Sequence, residues 1–176
     1  FCSCRICLNL SLGISMTTTP VSGQTVQALS TCPLCTGDAG RVVWQSAAWY
    51  VVHADSAAEA QFPAFYRLIC HAHYVEWSDL PAPLQQEGMA ILTCIETLMR
   101  QHFRPFKMNL ASLGNVVPHV HWHIIARYAW DSHFPAPVWA APQRDANAAQ
   151  VATLRAQLPT FEAALRAALR PWADVA

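Results

Sequence analysis

The sequence predicts an α+β fold: an antiparallel sheet of about five strands, with one long central helix and a C-terminal helix. Two observations carry this. Short runs rich in β-branched and aromatic residues cluster on either side of a single helical stretch instead of alternating with helices. That stretch, and an alanine-rich one near the C-terminus, repeat apolar residues at helical spacing.

The elements follow in order. Residues 1–30 read as a disordered or extraneous segment. The start FCSCRICLNLSLGIS has no basic run before its apolar part, and Met16 opens a flexible stretch. TCPLCTGDAG is a turn-rich knuckle. RVVWQ (41–45), WYVVHA (49–54) and AFYRLICHAH (64–73) are strand-like. SDLP (78–81) starts a helix, with Asp79 as a possible cap and prolines 81 and 83 suiting a first turn. The helix runs from Leu84 to about Phe103, placing Met89, Leu92, Ile95, Leu98 and Met99 on one side. FKMNLAS (106–112) and VVPHVHWHIIAR (116–127) are strands joined by a tight LGN turn. Residues 130–143 form a packed, proline-rich loop. A helix spans about Ala146–Leu169, interrupted at Pro159.

Composition bounds the function. The 176 residues suit one domain; 53% are apolar and 12% charged, which excludes a disordered chain. Eleven basic and eleven acidic residues give no net charge, against a nucleic-acid partner. No apolar run approaches the about 20 residues that span a bilayer, so a membrane is not expected either. Without a secretory signal, the expected location is the cytoplasm.

The strongest signal is His119-Val120-His121-Trp122-His123. On a strand, alternate side chains share a face, so the three imidazoles project together while Val120, Trp122 and Ile124 pack on the core. Such a row can bind metal, supply a nucleophile near neutral pH, or surround a nucleophile with hydrogen-bond donors. A catalytic metal on the row would call for a carboxylate ligand close by, yet Gly114 through Trp130 contain no Asp or Glu. Among the cysteines, Cys70 and Cys94 read as buried thiols and Cys2, Cys4 and Cys7 lie in the suspect start. Cys32 and Cys35 form a C-x-x-C pair, metal-binding or redox-active in a reducing compartment. His53, near Asp55, reads as a surface residue, and His102 and His133 as structural or exposed. Trp130 and Trp139 read as packing residues.

NLASLGNVVPHVHWHIIAR resembles the histidine-triad (HIT) superfamily, whose signature is H-x-H-x-H followed by apolar residues. The continuation AWDSHFPAPVW resembles a bacterial branch described as diadenosine-tetraphosphate-hydrolase-like. The likeness covers about residues 31–140, and implies a HIT-like catalytic domain over 31–143 with 144–176 as a helical extension packed on it. It implies hydrolysis or transfer at a nucleotide α-phosphate, in a dinucleoside polyphosphate, a nucleoside phosphoramidate or a similar compound. His121 would attack phosphorus and form a nucleotidyl-histidine. His123 would donate to a phosphate or leaving-group oxygen. Asn115 stands where the family commonly has Gln beside the phosphate, and Asn109 matches a strand Asn on the ribose or phosphate side. Some HIT proteins, and galactose-1-phosphate uridylyltransferases, hold structural zinc at positions corresponding to Cys32, Cys35, His73 and His119. His71, two residues before His73, is the alternative third ligand. The resemblance also implies a homodimer. Two departures stand out: Gly-Asn replaces Gly-Gln, and Ala64-Phe65 replaces a Gly-His segment. A nucleotide sensor with little turnover and a metal-centred enzyme remain the alternatives.

Overall fold

The computed structural model describes residues 28–173. Expectations for residues 1–27, including Cys2, Cys4 and Cys7, lie outside the described residues. The five strands are β1 (Arg41–Gln45), β2 (Trp49–His53), β3 (Phe65–Cys70), β4 (Lys107–Ala111) and β5 (His121–Arg127). They form one sheet in the order β1-β2-β3-β5-β4, with every neighbouring pair antiparallel. The helices are α1 (Pro33–Thr36), α2 (Ala82–Phe103) and α3 (Ala148–Ala168).

The two faces of the sheet divide by period-two alternation. Trp49 and Val51 of β2, Tyr66, Leu68 and Cys70 of β3, and Ile124 and Ala126 of β5 join the main core with Ile91, Leu92, Ile95 and Met99 of α2 and Phe161 and Leu165 of α3. Tyr50, Val52 and Ile69 alternate with these residues and pack with Cys32 and Leu34 of the knuckle in a smaller cluster. The helices therefore cover one face, and the knuckle covers part of the other. His121, His123 and Arg67 are out of phase with the core positions and belong to this second face.

Helix α2 starts at Ala82, with Pro83 in its first turn. Pro81 is its N-cap residue and no side chain caps it; Asp79 sits in a separate 3-10 turn, Trp77–Asp79, and is not the cap. The helix lies so close to the sheet that a Cβ on Gly88 would come within 2.5 Å of Cζ2 of Trp49. Helix α3 runs unbroken through Pro159, contrary to the sequence expectation. Proline forfeits one backbone bond in a helix interior; here Leu154, Leu158, Phe161 and Leu165 are buried on both sides of it, and that burial holds the helix together. Arg41 of β1 ties α3 to the sheet edge through bonds of 2.9 and 2.5 Å to Glu162.

Two strands are shorter than their sequences suggest. β3 ends at Cys70, so His71 and His73 do not continue its pleat. β5 begins only at His121, and residues 112–120 form a loop instead of a tight LGN turn. Val117 and Pro118 keep that stretch out of the ladder: His119 N–H donates to the Val117 carbonyl at 2.8 Å, a local turn in place of a cross-strand bond.

Replacing Gly88 by Ala should lower stability by about 1–3 kcal/mol, because overpacking against Trp49 outweighs the about 1 kcal/mol that Ala gains in helix propensity. Equilibrium denaturation in urea would measure it, and an unchanged or raised midpoint would contradict the close packing.

Candidate active site

The site grows from the end of the loop before β5. His119 is buried and precedes the strand. Its Nδ1 lies 3.4 Å from Cys32 Sγ and 3.5 Å from Cys35 Sγ, and its Nε2–H donates to the Cys70 carbonyl at 2.7 Å. The other half of the cluster is His73, with Nδ1 3.4 Å from Cys35 Sγ. Cys32 is the N-cap residue of α1 and Cys35 is one turn on, so both thiols face the same way. His71 is not part of this group; it stacks on Tyr50 with ring centroids 4.8 Å apart.

All four donor atoms lie within 4.8 Å of one another. Zinc bonded to sulfur at about 2.3 Å and to nitrogen at about 2.0 Å in a tetrahedron spaces S and N by about 3.5 Å. The observed 3.4–3.5 Å separations fit that geometry, and the donor set of two thiolates and two imidazoles is one zinc favours. The Cys70 carbonyl fixes the tautomer that leaves Nδ1 of His119 free to coordinate, the outer support usual for metal-bound histidine. The cluster is compatible with zinc. Among the described residues it includes neither His121 nor His123, so the histidine row does not converge on one ion.

His121 and His123 lie side by side on β5. His121 Nδ1–H donates to the His119 carbonyl at 2.6 Å, which leaves the Nε2 lone pair outward. His123 Nε2 is 3.1 Å from His121 Nε2, and His123 Nδ1 has no partner. One proton between the two Nε2 atoms satisfies this arrangement, carried by His123. Burial lowers both imidazoles; the backbone bond from His119 partly offsets this at His121, while His121 and Arg67 add to it at His123, which falls to about 3. Both are neutral at pH 7. The pair opens into a cavity of about 530 Å³, lined also by Leu34, Arg67, Leu113, Asn115, Val117 and Trp139.

Asn115 lines this cavity from an exposed loop position next to Gly114, whose φ of +72° suits glycine. Asn109 does not line it. On β4, its Oδ1 accepts from Arg127 Nη1 at 2.8 Å, in a network where Arg127 also binds both carboxylate oxygens of Asp131 at 2.8 and 3.0 Å. His53 is buried, against the surface position expected, with Nε2 2.8 Å from the Pro63 carbonyl. His133 is buried too, its Nδ1 2.8 Å from the Ser132 hydroxyl oxygen, and His102 packs on Phe103 and Phe161. Trp130 stacks on Tyr128, a packing role, but Trp139 stands over the site with its ring 5.1 Å from that of His123. Cys70 is buried and pushed up to about 11 by desolvation, and Cys94 is half-buried.

Sequence reasoning missed Arg67. It lines the cavity from β3, opposite His123 in the β3–β5 register, and it pairs with Glu59. The signal was available: it is the one charged residue in the otherwise apolar-aromatic run FYRLIC.

A HIT-domain family model matches residues 41–130, just over half of the chain. The chain belongs to the HIT family. HIT-domain proteins are nucleotide-binding hydrolases and transferases that take small nucleotide substrates. Solved structures agree: a histidine triad protein from Bradyrhizobium japonicum is 27% identical, with a TM-score of 0.58 over 74% of this chain and 91% of that one. A histidine triad protein from Marinobacter aquaeolei VT8 is 26% identical, with a TM-score of 0.57 over 73% and 93% of the two chains. No curated protein matches the chain.

The Arg127–Asp131 pair gives a pH prediction. Burial alone would raise the Asp131 carboxyl, but hydrogen bonds from Arg127 and from the amides of Tyr128 and His133 outweigh it and hold the group below its usual value. A lowered folded pKa contributes stability that is present above the unfolded value of about 3.9 and is lost as pH falls through the folded pKa. Asp131→Asn should therefore melt well below the native protein at pH 7, and the gap should shrink as pH falls from about 4 towards 2. A gap independent of pH, followed by circular dichroism, would refute the pairing.

Proposed function

We propose that this HIT protein hydrolyses or transfers a nucleoside monophosphate by attack of His121 Nε2 on an α-phosphorus. The observation that carries the reading is the fixed tautomer of His121: Nδ1 is spent on the His119 carbonyl, and Nε2 faces the cavity beside a second neutral imidazole. A neutral, oriented imidazole is a competent nucleophile near pH 7. As the N–P bond forms, the bond from phosphorus to the leaving group breaks. Neutral His123 turns its Nε2–H from His121 to a phosphate or leaving-group oxygen, with Asn115 as a further amide donor. Water then cleaves the N–P bond and releases the nucleoside monophosphate.

The cluster of Cys32, Cys35, His73 and His119 holds zinc in this reading. Bound there, zinc ties the knuckle to the start of β5 and contributes folding stability, not chemistry. The resemblance of the tail AWDSHFPAPVW supports a diadenosine-tetraphosphate-hydrolase-like substrate, and the family likeness supports a homodimer. Residues 31–143 act as the catalytic domain and 144–176 as its helical extension. A cytoplasmic setting belongs to this reading; no described helix is long and apolar enough to cross a membrane.

The test is AMP release. With diadenosine tetraphosphate and, separately, adenosine 5′-phosphoramidate, the native protein should form AMP. His121→Ala should lose at least about a thousandfold in rate, the scale of removing a nucleophile, with its melting temperature unchanged. A folded His121→Ala protein of native activity would overturn the mechanism. No AMP from either compound despite nucleotide binding would favour a sensor.

For the metal, mass spectrometry under native conditions should find about one zinc per chain. Cys32→Ser should lose it and melt at a markedly lower temperature. Zinc-free protein of native stability would refute the structural role.

A further inference from the structure

Arg67 has no part in the mechanism so far, yet it sits beside the reacting pair. It occupies the middle of β3, between buried Tyr66 and Leu68, and its register partner on β5 is His123. Among the described residues it is the one Lys or Arg side chain lining the cavity that contains His121 and His123. A second cavity, of about 360 Å³, shares Asp38, Ala39 and Arg67 with the first, so the guanidinium stands between the two.

The side chain is held in place. Nη1 donates to the Ala39 carbonyl at 3.0 Å, Nη2 donates to Glu59, and the guanidinium lies 5.4 Å from the centre of the Phe65 ring. A guanidinium has five N–H donors, and these bonds use two. The other three stay available to an acceptor, on a fork already oriented by Glu59 and suited to phosphate. The remaining charged groups around the two cavities, Asp38, Asp55 and Glu59, are all acidic. Among the described residues, an anionic group reaching beyond the His pair therefore finds one favourable place, at Arg67.

We propose that Arg67 is a specificity-determining residue that binds a second phosphate, the one joined to the phosphorus that His121 attacks, so that the site prefers nucleotides with a phosphoanhydride at that position over those whose leaving group is an amine. This rests on the reading of the site given above. Glu59 is the positioning residue for the guanidinium.

The test is calorimetric binding of AMP and of α,β-methylene-ADP, which carries the second phosphate on an uncleavable bridge. The full chain should bind the diphosphate analogue at least about tenfold more tightly than AMP, on the scale of a charge-assisted contact. Arg67→Gln should lose that margin, the ratio of the two affinities falling towards one, and Arg67→Lys should retain part of it. If Glu59 left unpaired unfolds Arg67→Gln, the double variant Arg67→Gln/Glu59→Gln removes both charges and should show the same loss. An analogue bound no more tightly than AMP by the native protein, or a margin that survives in the Gln variants, overturns the proposal. Tight binding of the analogue without AMP release from any substrate would support Arg67 and overturn the reading of turnover. AMP release with no preference for the analogue would do the reverse.

Discussion

Each polar group of His119 is committed. Its N–H donates to the Val117 carbonyl, its Nε2–H to the Cys70 carbonyl, its Nδ1 faces the thiols of Cys32 and Cys35, and its own carbonyl accepts from His121 Nδ1. One residue thus joins the knuckle, the end of β3, the loop before β5 and the His121 imidazole. The last bond matters most for chemistry. An imidazole free to flip presents either nitrogen, in either tautomer; one pinned through Nδ1 presents the Nε2 lone pair every time. The side chain of His119 anchors the knuckle while its backbone orients His121. The Cys32 and Cys35 thiols and the His121 imidazole are thus linked through this one residue.

The sheet supplies the second constraint. Period-two alternation sends Trp122, Ile124 and Ala126 into the helix-covered core and leaves His121 and His123 on the opposite face, where Arg67 joins them from β3. Burial on that face keeps both imidazoles neutral, and the guanidinium pushes in the same direction. A cation beside two neutral histidines suits a site for an anionic substrate: it adds attraction for phosphate without protonating the proposed nucleophile. Shifting β5 by one residue would turn both histidines into the core, so the packing of Ile124 on α2 and α3 also fixes the register of the site.

Much of this was legible in the sequence. The strand assignments and the long helix came from alternation and helical spacing, and the zinc-type quartet from the resemblance to HIT proteins. The errors have local causes. Treating 116–127 as one strand put all three histidines in a single row, but the turn at Val117 takes His119 off the pleat and towards the knuckle, separating its role from that of the other two. Helix propensity alone puts a break at Pro159, and the burial of Leu158 and Phe161 overrides it. His53 and Asn109 depend on partners distant in sequence, the Pro63 carbonyl and Arg127, which no local pattern reveals. Arg67 was visible as an isolated charge in an apolar strand, but its meaning depends on the β3–β5 register.

The loop after β5 brings a half-exposed aromatic against the histidine pair. Asp131 accepts from Arg127 and from the backbone N–H groups of Tyr128, His133 and Phe134, while Arg127 and Arg144 donate to the carbonyls of Ala136, Asp131 and Phe134. These bonds fasten both sides of the turn to the buried end of β5. Trp139, three residues past Ala136, is 51% exposed and still rests edge-on against His123. Next to His123 it gives the cavity one flat apolar wall. The buried ion pair is then not an isolated stabilising feature: by holding the loop, it sets one wall of the cavity.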